Sequence, residues 1–429
     1  MSKILEKWLK FIAKKIIKKY QPRVIAVTGS YGKTSTKDAV YLALRGQINS
    51  LRKSEGNLNT SWGLPYTIIG SSDPGGSVVG WLRVILRGIL QILFTNKKYP
   101  KNLIVEMGAD KPGDIAYLLE IVRPHISVLT GIGATHLELF GSIEQVVKEK
   151  ARLVGGLQDG GVAIYNYDDD QAGRIASKHG GRVLSFGFGV GADIQALQIR
   201  SELNDLAHEQ SGNSVDDGGI SFNVASSGGA FGTGYLRNTV GRAPLYAVLA
   251  ALTVAKALGL DLSKVLQDVR SGFIPTPGRM RLLGGIKRTL LIDDTYNSSP
   301  QAVILALETL MSLEVSGKKI AVLGNMLELG NQTSELHTKV GERVAELEVD
   351  MLITVGERAI DIAHGAIKVG MSVEKTFEFA DVGEAGKFLQ EKMKQGDLIL
   401  IKGSRGVGME AIVKEVMAHP QRDKHLLVH

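Results

Sequence analysis

Between Arg23 and Val154, short aliphatic runs alternate with longer stretches in which apolar residues recur every three or four positions. The runs are "RVIAVTG", "NLIVEMG" and "HISVLTGI", rich in β-branched residues and each ending in glycine and polar positions. Strands alternating with helices predict βαβ units and a mostly parallel sheet covered on both faces. Ligands of such sheets gather at the C-terminal strand ends, here the polar ends of the runs. The same logic restarts near Pro275 with "TLLIDDTYN", "KIAVLGNM", "DMLITVG" and "DLILIKGSRG". The expected class is α/β, with a central domain over 23–275 built on a mostly parallel sheet and a smaller, doubly wound C-terminal domain over 276–429. Within the first, 193–237 holds "SGNSVDDGGISFNVASSGGAFGTGY", an excursion expected to form hairpins, before the helix "LYAVLAALTVAKALG" returns to the core.

Two segments break this rhythm. In 1–22, "MSKILEKWLKFIAKKIIKKYQP", Leu5, Trp8, Leu9, Ile12, Ile16 and Tyr20 recur at helical spacing with lysines filling the rest. Lysine interrupts every turn and no small-residue cleavage site follows, so this is no secretory signal but a basic amphipathic helix. Lying in an anionic membrane surface and docking on the body of the protein both satisfy the pattern. The second segment, 78–94, reads "VVGWLRVILRGILQILF". Arg83, Arg87 and Gln91 stand four apart on one strip of an otherwise apolar helix, and two arginines in so short a stretch argue against a membrane span. An interfacial or buried helix is expected.

Charge sharpens this division. The net charge of the 429 residues is +7, and the first 23 residues, with eight basic side chains against Glu6, account for all of it. The remainder is neutral on balance, and the arm lacks groove-reading or stacking motifs, which argues against a nucleic-acid partner. The absence of cysteine excludes disulfides, thiol catalysis and thiolate metal sites.

The chemistry begins at "VIAVTGSYGKTSTKDAV". Gly29 and Gly32 permit a tight backbone path that turns N–H groups toward a phosphate, Lys33 can reach the β/γ-phosphates, and the Thr34 hydroxyl can ligate Mg²⁺. Only two residues separate the glycines, a shorter span than in the common P-loop; a plain strand-turn-helix is the alternative. At the next strand end, "VEMGADKPGDI", Glu106 offers the oxygen ligand that a hard cation needs. At the third, "GIGATHLELFGS" offers His136 and Glu138.

Together "TGSYGKTST", "GNLNTSWGLP", "EMGADKPGDI", "THLELFGSIEQVVKEKARL", "TPGRMRLL", "IDDTYNSSPQA", "LGNMLELG" and "IKGSRGVGMEAIV" occur in the order and spacing of the Mur ligases. From 23 to 429 the chain resembles that family, most of all its D-alanyl-D-alanine-adding branch. The resemblance implies a P-loop ATPase domain and an ATP- and Mg²⁺-dependent amide-bond ligase of peptidoglycan precursor synthesis. In such enzymes ATP phosphorylates a muramoyl-peptide carboxylate, and the acyl phosphate is attacked by the amine of a D-Ala-D-Ala-like dipeptide. Carried over by position, Gly29, Ser30, Gly32, Lys33, Thr34 and Ser35 hold the phosphates, with Thr34 and Glu106 on one Mg²⁺ and His136 on a second. Lys150 stands where relatives carry a carbamylated lysine, a carboxylate-like metal ligand; the alternative is an ordinary lysine. Arg279 reaches the nucleotide across the domain cleft, Asp294 accepts from the ribose, and Tyr296 and Asn297 lie alongside. Asn325, Glu328, Lys402, Ser404 and Arg405 face the incoming amine, and Asn57 and Asn59 the acceptor peptide.

Two departures stand out. Where the family's adenine-contacting asparagines are expected, "GRAPLYAVLAA" has Pro244 and Ala247, so the base is read differently or more loosely. The family also carries a domain before the phosphate loop for the UDP-sugar end of the acceptor, whereas only the basic helix precedes it here. The two unusual helices are then expected to pack as a structural substitute or to anchor a lipid-linked acceptor. The expected setting is a cytoplasmic monomer, with 1–20 and 78–94 as candidate contacts to the inner membrane surface. A Mur-like ligase with another acceptor, of lipid-linked muropeptide or poly-γ-glutamate type, and a non-catalytic nucleotide switch are the competing readings.

Overall fold

The computed structural model describes residues 3–56, 58–203 and 218–428. Nine strands form the first sheet: β1 (Arg23–Thr28), β2 (Leu51–Lys53), β3 (Asn102–Glu106), β4 (Ile126–Leu129), β5 (Val162–Asn166), β6 (Arg182–Gly187), β7 (Ile194–Leu203), β8 (Gly218–Ser226) and β9 (Gly229–Arg237). Their order is β2-β3-β1-β4-β5-β6-β7-β8-β9. Pairing is parallel from β2 to β7 and antiparallel through β8 and β9. The Gly- and Ser-rich excursion thus extends the sheet as antiparallel strands, its 204–217 portion lying outside the described residues.

Alternation along β1 sets the two faces. Val24 and Ala26 join one core, with Leu103 and Val105 of β3, while Ile25 and Val27 join the other, with Ile126 and Val128 of β4. The second face is covered by α2 (Lys33–Arg45) and the helix Arg242–Ala257, which is buried along most of its length. The connections leave β1 and β4 toward opposite edges of the sheet, the one after β1 leading to β2 and the one after β4 to β5. Such a switch point opens a crevice at the strand ends.

The second sheet comprises β10 (Arg281–Gly285), β11 (Thr289–Asp294), β12 (Lys319–Gly324), β13 (Met351–Val355), β14 (Thr376–Phe379) and β15 (Leu398–Lys402), in the order β10-β11-β15-β12-β13-β14. Only the β10–β11 hairpin is antiparallel. Leu290 and Ile292 face one core and Leu291 the other, so this sheet too is covered on both sides.

The basic arm is a helix, α1 (Lys3–Tyr20), docked on the first sheet through Leu9, Ile12, Ala13 and Ile16. Trp8, expected in the buried stripe, is exposed, and Ala13 takes part instead, because the seam centres on Leu9 and one residue turns a helix by about a quarter of a circle. Beyond α3 (Gly63–Ile69), α4 (Val78–Leu93) lies against α1 and α3, where a Cβ at Gly88 would meet Ile12 Cγ2 at 2.5 Å. Lys19 Nζ donates to the carbonyls of Gln91, Ile92 and Phe94, and Tyr20 Oη to those of Gln91 and Phe94, closing the C-terminal turn of α4. The expected polar strip of α4 splits: Gln91 is buried, donating to Ile69 O at 2.8 Å, while Arg83 and Arg87 stay in solvent.

Docking makes α1 part of the core, and this is measurable. Leu9→Ala should destabilise the fold by about 2–5 kcal/mol, while Trp8→Ala should change it by about 0.5 kcal/mol or less. Equal shifts of the two variants in urea unfolding, followed by far-ultraviolet circular dichroism, would show that α1 is not seated through Leu9.

Candidate active site

The loop after β1 turns into α2 through Gly29 (φ 153°) and Gly32 (φ 78°), both in the region that favours glycine. A Cβ on Gly29 would lie 2.0 Å from Thr130 Oγ1, so the β4 loop requires this residue to be small. The two loops are stitched together: Ser30 N donates to Gly131 O at 2.7 Å, Ser30 Oγ exchanges hydrogen bonds with Gly133, and Thr130 Oγ1 donates to Tyr31 O. No side chain caps α2, whose first N–H groups open into a cavity of about 680 Å³. A helix N-terminus so arranged attracts anions.

Register supplies the acid. Val27 of β1 pairs with Glu106 of β3, which brings the carboxylate beneath the phosphate loop. Glu106 is buried, and its oxygens accept from Thr34 Oγ1 at 3.0 Å and Asn59 Nδ2 at 2.9 Å. A buried carboxylate beside a hydroxyl is an all-oxygen set, suited to a hard cation completed by phosphate and water. Among the described residues no group of three or more His, Asp and Glu side chains is assembled as a cage. Lys33 Nζ rests on the carbonyls of Gly29 and Ser30, and burial lowers its pKa.

Lys37, unanticipated from the sequence, is also buried, donating to Gly56 O at 3.0 Å and lying 4.0 Å from Glu106 Oε2. The available signal was its position one turn beyond Lys33, on the same face of α2. Lys150 is buried in the helix Ile143–Gly155, and burial, then the nearby charge of Lys33, pulls its pKa down to about 7. It does not line the cavity; Ser35 does.

His136, with left-handed backbone (φ 53°), meets Glu328 of the second half, itself left-handed (φ 64°), at 2.6 Å from Nδ1 to Oε2. Glu138 N donates to Glu328 O. The bond from His136 holds the Glu328 carboxyl below its ordinary pKa. Glu328 was expected to face an amine, and His136 a metal; in this arrangement they engage each other across the two sheets' loops.

From the second sheet, Arg279 and Tyr296 enter the cavity, the guanidinium 4.2 Å from the ring centroid and its Nε buried without a hydrogen-bond partner among the described residues. Asp294 accepts from Met280 N at 3.1 Å and from the buried Lys402 at 2.6 Å, and Lys402 also donates to Asn297 O. Lys402 thus neutralises Asp294 while lining the cavity. Asp293, whose carboxyl burial pushes up to about 6, accepts from Gly278 N and Thr295 and holds the turn that carries Arg279. The doubled aspartate in "DDTYN" was its signal.

Not every expected residue converges. Asn325 accepts from the backbone N–H groups of Arg358 and Ala359, Ser404 Oγ accepts from Leu327 N, and Arg405 pairs with Glu410, so these close loops of the second sheet outside the cavity. Asn57 lies outside the described residues. Pro244 and Ala247 do line the cavity, with Asn166, Phe186 and Tyr246. Asn166, at the polar end of β5, is the side chain there that sequence reading passed over.

The family model for the Mur ligase middle domain matches residues 87–254, and that for the Mur ligase, glutamate ligase domain matches 278–405. UDP-N-acetylmuramoyl-tripeptide–D-alanyl-D-alanine ligase of Bacillus subtilis is 28% identical over 415 residues, 96% of this chain and 79% of that protein. The Escherichia coli enzyme of the same name is 27% identical, covering 91% of this chain and 76% of its own. The crystal structure of MurF ligase from Thermotoga maritima in complex with ADP superposes with a TM-score of 0.76 at 27% identity, over 97% of this chain and 84% of that one. MurF from Acinetobacter baumannii gives 0.75 at 26%, over 94% and 79%. With both characteristic domains matched in order and the whole architecture shared, the chain belongs to the Mur ligase family.

Proposed function

We propose that this ligase uses ATP to join the amine of a D-Ala-D-Ala dipeptide to the terminal carboxylate of a muramoyl tripeptide. The observation that carries this reading is the meeting, in one cavity, of an uncapped phosphate-loop helix, the Thr34–Glu106 pair and the Arg279–Tyr296 pair from the other sheet. The relatives named for this reaction, and the ADP-bound neighbour, support it.

The chemistry needs positioning and neutralisation of charge, not a protein nucleophile. ATP supplies the phosphoryl group that activates the carboxylate, leaving as phosphate when the amine attacks. The uncapped N–H groups of α2 and Lys33 bind the phosphates, and the partnerless Nε of Arg279 offers a donor from the opposite wall. Thr34 and Glu106 would hold Mg²⁺. Asn166 and Tyr246 are polar side chains of the lining that would meet the base, where Pro244 and Ala247 offer none. A lysine pulled to about pH 7 is largely neutral at physiological pH, the form that reacts with carbon dioxide, so a carbamylated Lys150 would add a carboxylate close to Lys33.

Phosphate release should require ATP, Mg²⁺, D-Ala-D-Ala and UDP-MurNAc-tripeptide together, and Lys33→Ala should lower turnover roughly 10²–10³-fold. Release that ignores the dipeptide would sink the assignment. For Lys150, the adduct should appear as pH rises through about 7 and vanish as it falls below, because protonation removes the nucleophilic amine. Labelled bicarbonate followed by carbon NMR checks this; a carbamate signal retained in Lys150→Arg, or absent from the parent protein at pH 8, would rule it out.

A further inference from the structure

Helix α4 is placed with its more apolar side outward. It turns Val84, Gly88 and the polar Gln91 to the body, while Leu82, Leu86, Ile89, Leu90 and Leu93 face solvent at 41–68% exposure. At about 100° per residue those four leucines and one isoleucine span roughly a third of the helix circumference without a polar interruption. A surface helix of a soluble body ordinarily shows the reverse. Its neighbour α1 adds Ile4, Trp8 and Phe11, spaced i, i+4 and i+7 on one outward stripe and each more than half exposed.

Positive charge predominates around this surface, with Glu6 and the Lys10-paired Glu120 its acidic neighbours. Lys7, Lys14, Lys15 and Lys18 of α1 are exposed, as are Arg83 and Arg87 along one border of the α4 face, and among the described residues none of the six is in an ion pair within 4.0 Å. Beside those arginines runs an open groove of about 420 Å³ whose walls include Leu86, Leu90 and Phe94. The surface is also rigidly presented. Ile12 packs on Gly88, and Lys19 and Tyr20 bind the last carbonyls of α4, so both helices are held as one layer.

We infer that α1 and α4 form a docking face for an anionic lipid bilayer, on which the ligase sits with α4 lying in the interface. An outward apolar face flanked by Lys and Arg, with a tryptophan at its edge, is the arrangement that buries side chains among acyl chains while the cations meet lipid phosphates. Crossing is not involved: among the described residues no helix is long and apolar enough to span, and α4 has 16 residues against the ~20 required. A second copy of the chain is a poorer occupant, because apposing two such faces brings two basic rims together. This inference goes beyond the proposed reaction and concerns where it takes place.

The test is flotation of the full chain with vesicles of equimolar phosphatidylglycerol and phosphatidylcholine, compared with phosphatidylcholine alone. Binding should favour the anionic vesicles and weaken with salt, and R83S/R87S should reduce partitioning by roughly ten- to thirtyfold. L82Q/L86Q should abolish binding, yet its thermal midpoint and its turnover of soluble substrates should match the parent, since both residues face solvent and lie outside the active cavity. Absence of binding to anionic vesicles, binding indifferent to L82Q/L86Q, or a dimer that this variant dissolves without any vesicle binding would each overturn the inference. Because soluble-substrate turnover is read separately, its failure is distinct from failure of the proposed reaction.

Discussion

The burial of Glu106 beside the phosphate loop is the constraint on which the site depends. A carboxylate removed from water is costly unless its oxygens are bonded. Here Thr34 and Asn59 satisfy them, and Ser54 Oγ accepts from the Glu106 backbone. That arrangement exists because Val27 pairs with Glu106 in parallel register; a slip of one residue would turn the acid to the opposite face of the sheet. Thr28 strengthens the same junction, its hydroxyl donating to Met107 O just past the acid. The loops after β1, β3 and β4 are thereby held as one unit, and α2 starts from it with free N–H groups.

The second sheet completes the cavity through a buried ion pair rather than an apolar seam. Lys402 and Asp294 sit at the ends of adjacent parallel strands, paired in register, so the two charges meet at 2.6 Å. One strand position earlier, Asp293 fastens the Gly278 turn and so aims Arg279 inward. The contact of His136 with Glu328 joins this half to the first, between two residues in left-handed conformations that need support from their surroundings. Charge pairs, sensitive to ligands of either sign, thus hold the walls of the cavity in their relative positions.

On the far side of the first sheet the logic is reversed. Helix α1 supplies a conventional buried seam, and α4 uses a narrow one in which Gly88 allows close approach to Ile12. What α4 leaves outside is its most apolar surface, a cost in water that is relieved only by a partner of matching character. The catalytic cavity and this face are separate features, so one can change without the other.

The strands and the phosphate loop were legible in the sequence because their signals are local. β-branched runs ending in glycine mark parallel strands, and the spacing from Gly29 to Thr34 encodes a turn into a helix whatever surrounds it. Glu106 could be named as well, since a charge at the end of an aliphatic run must lie at a strand terminus. The sequence by itself also made α1 an amphipathic helix, but neither its docking on the body nor the inclusion of Ala13 in place of Trp8 was decided there. Tertiary structure alone decided which partner each polar residue took: Lys402 reaches Asp294 across 108 positions, and Glu328 turns to His136, because strand order and loop docking bring together groups that no periodicity relates. It also decided which side of α4 faces outward. The strip of Arg83, Arg87 and Gln91 distinguishes a less apolar side without saying which side meets the protein, and only the placement of Gly88 against Ile12 and of Gln91 against Ile69 selects it.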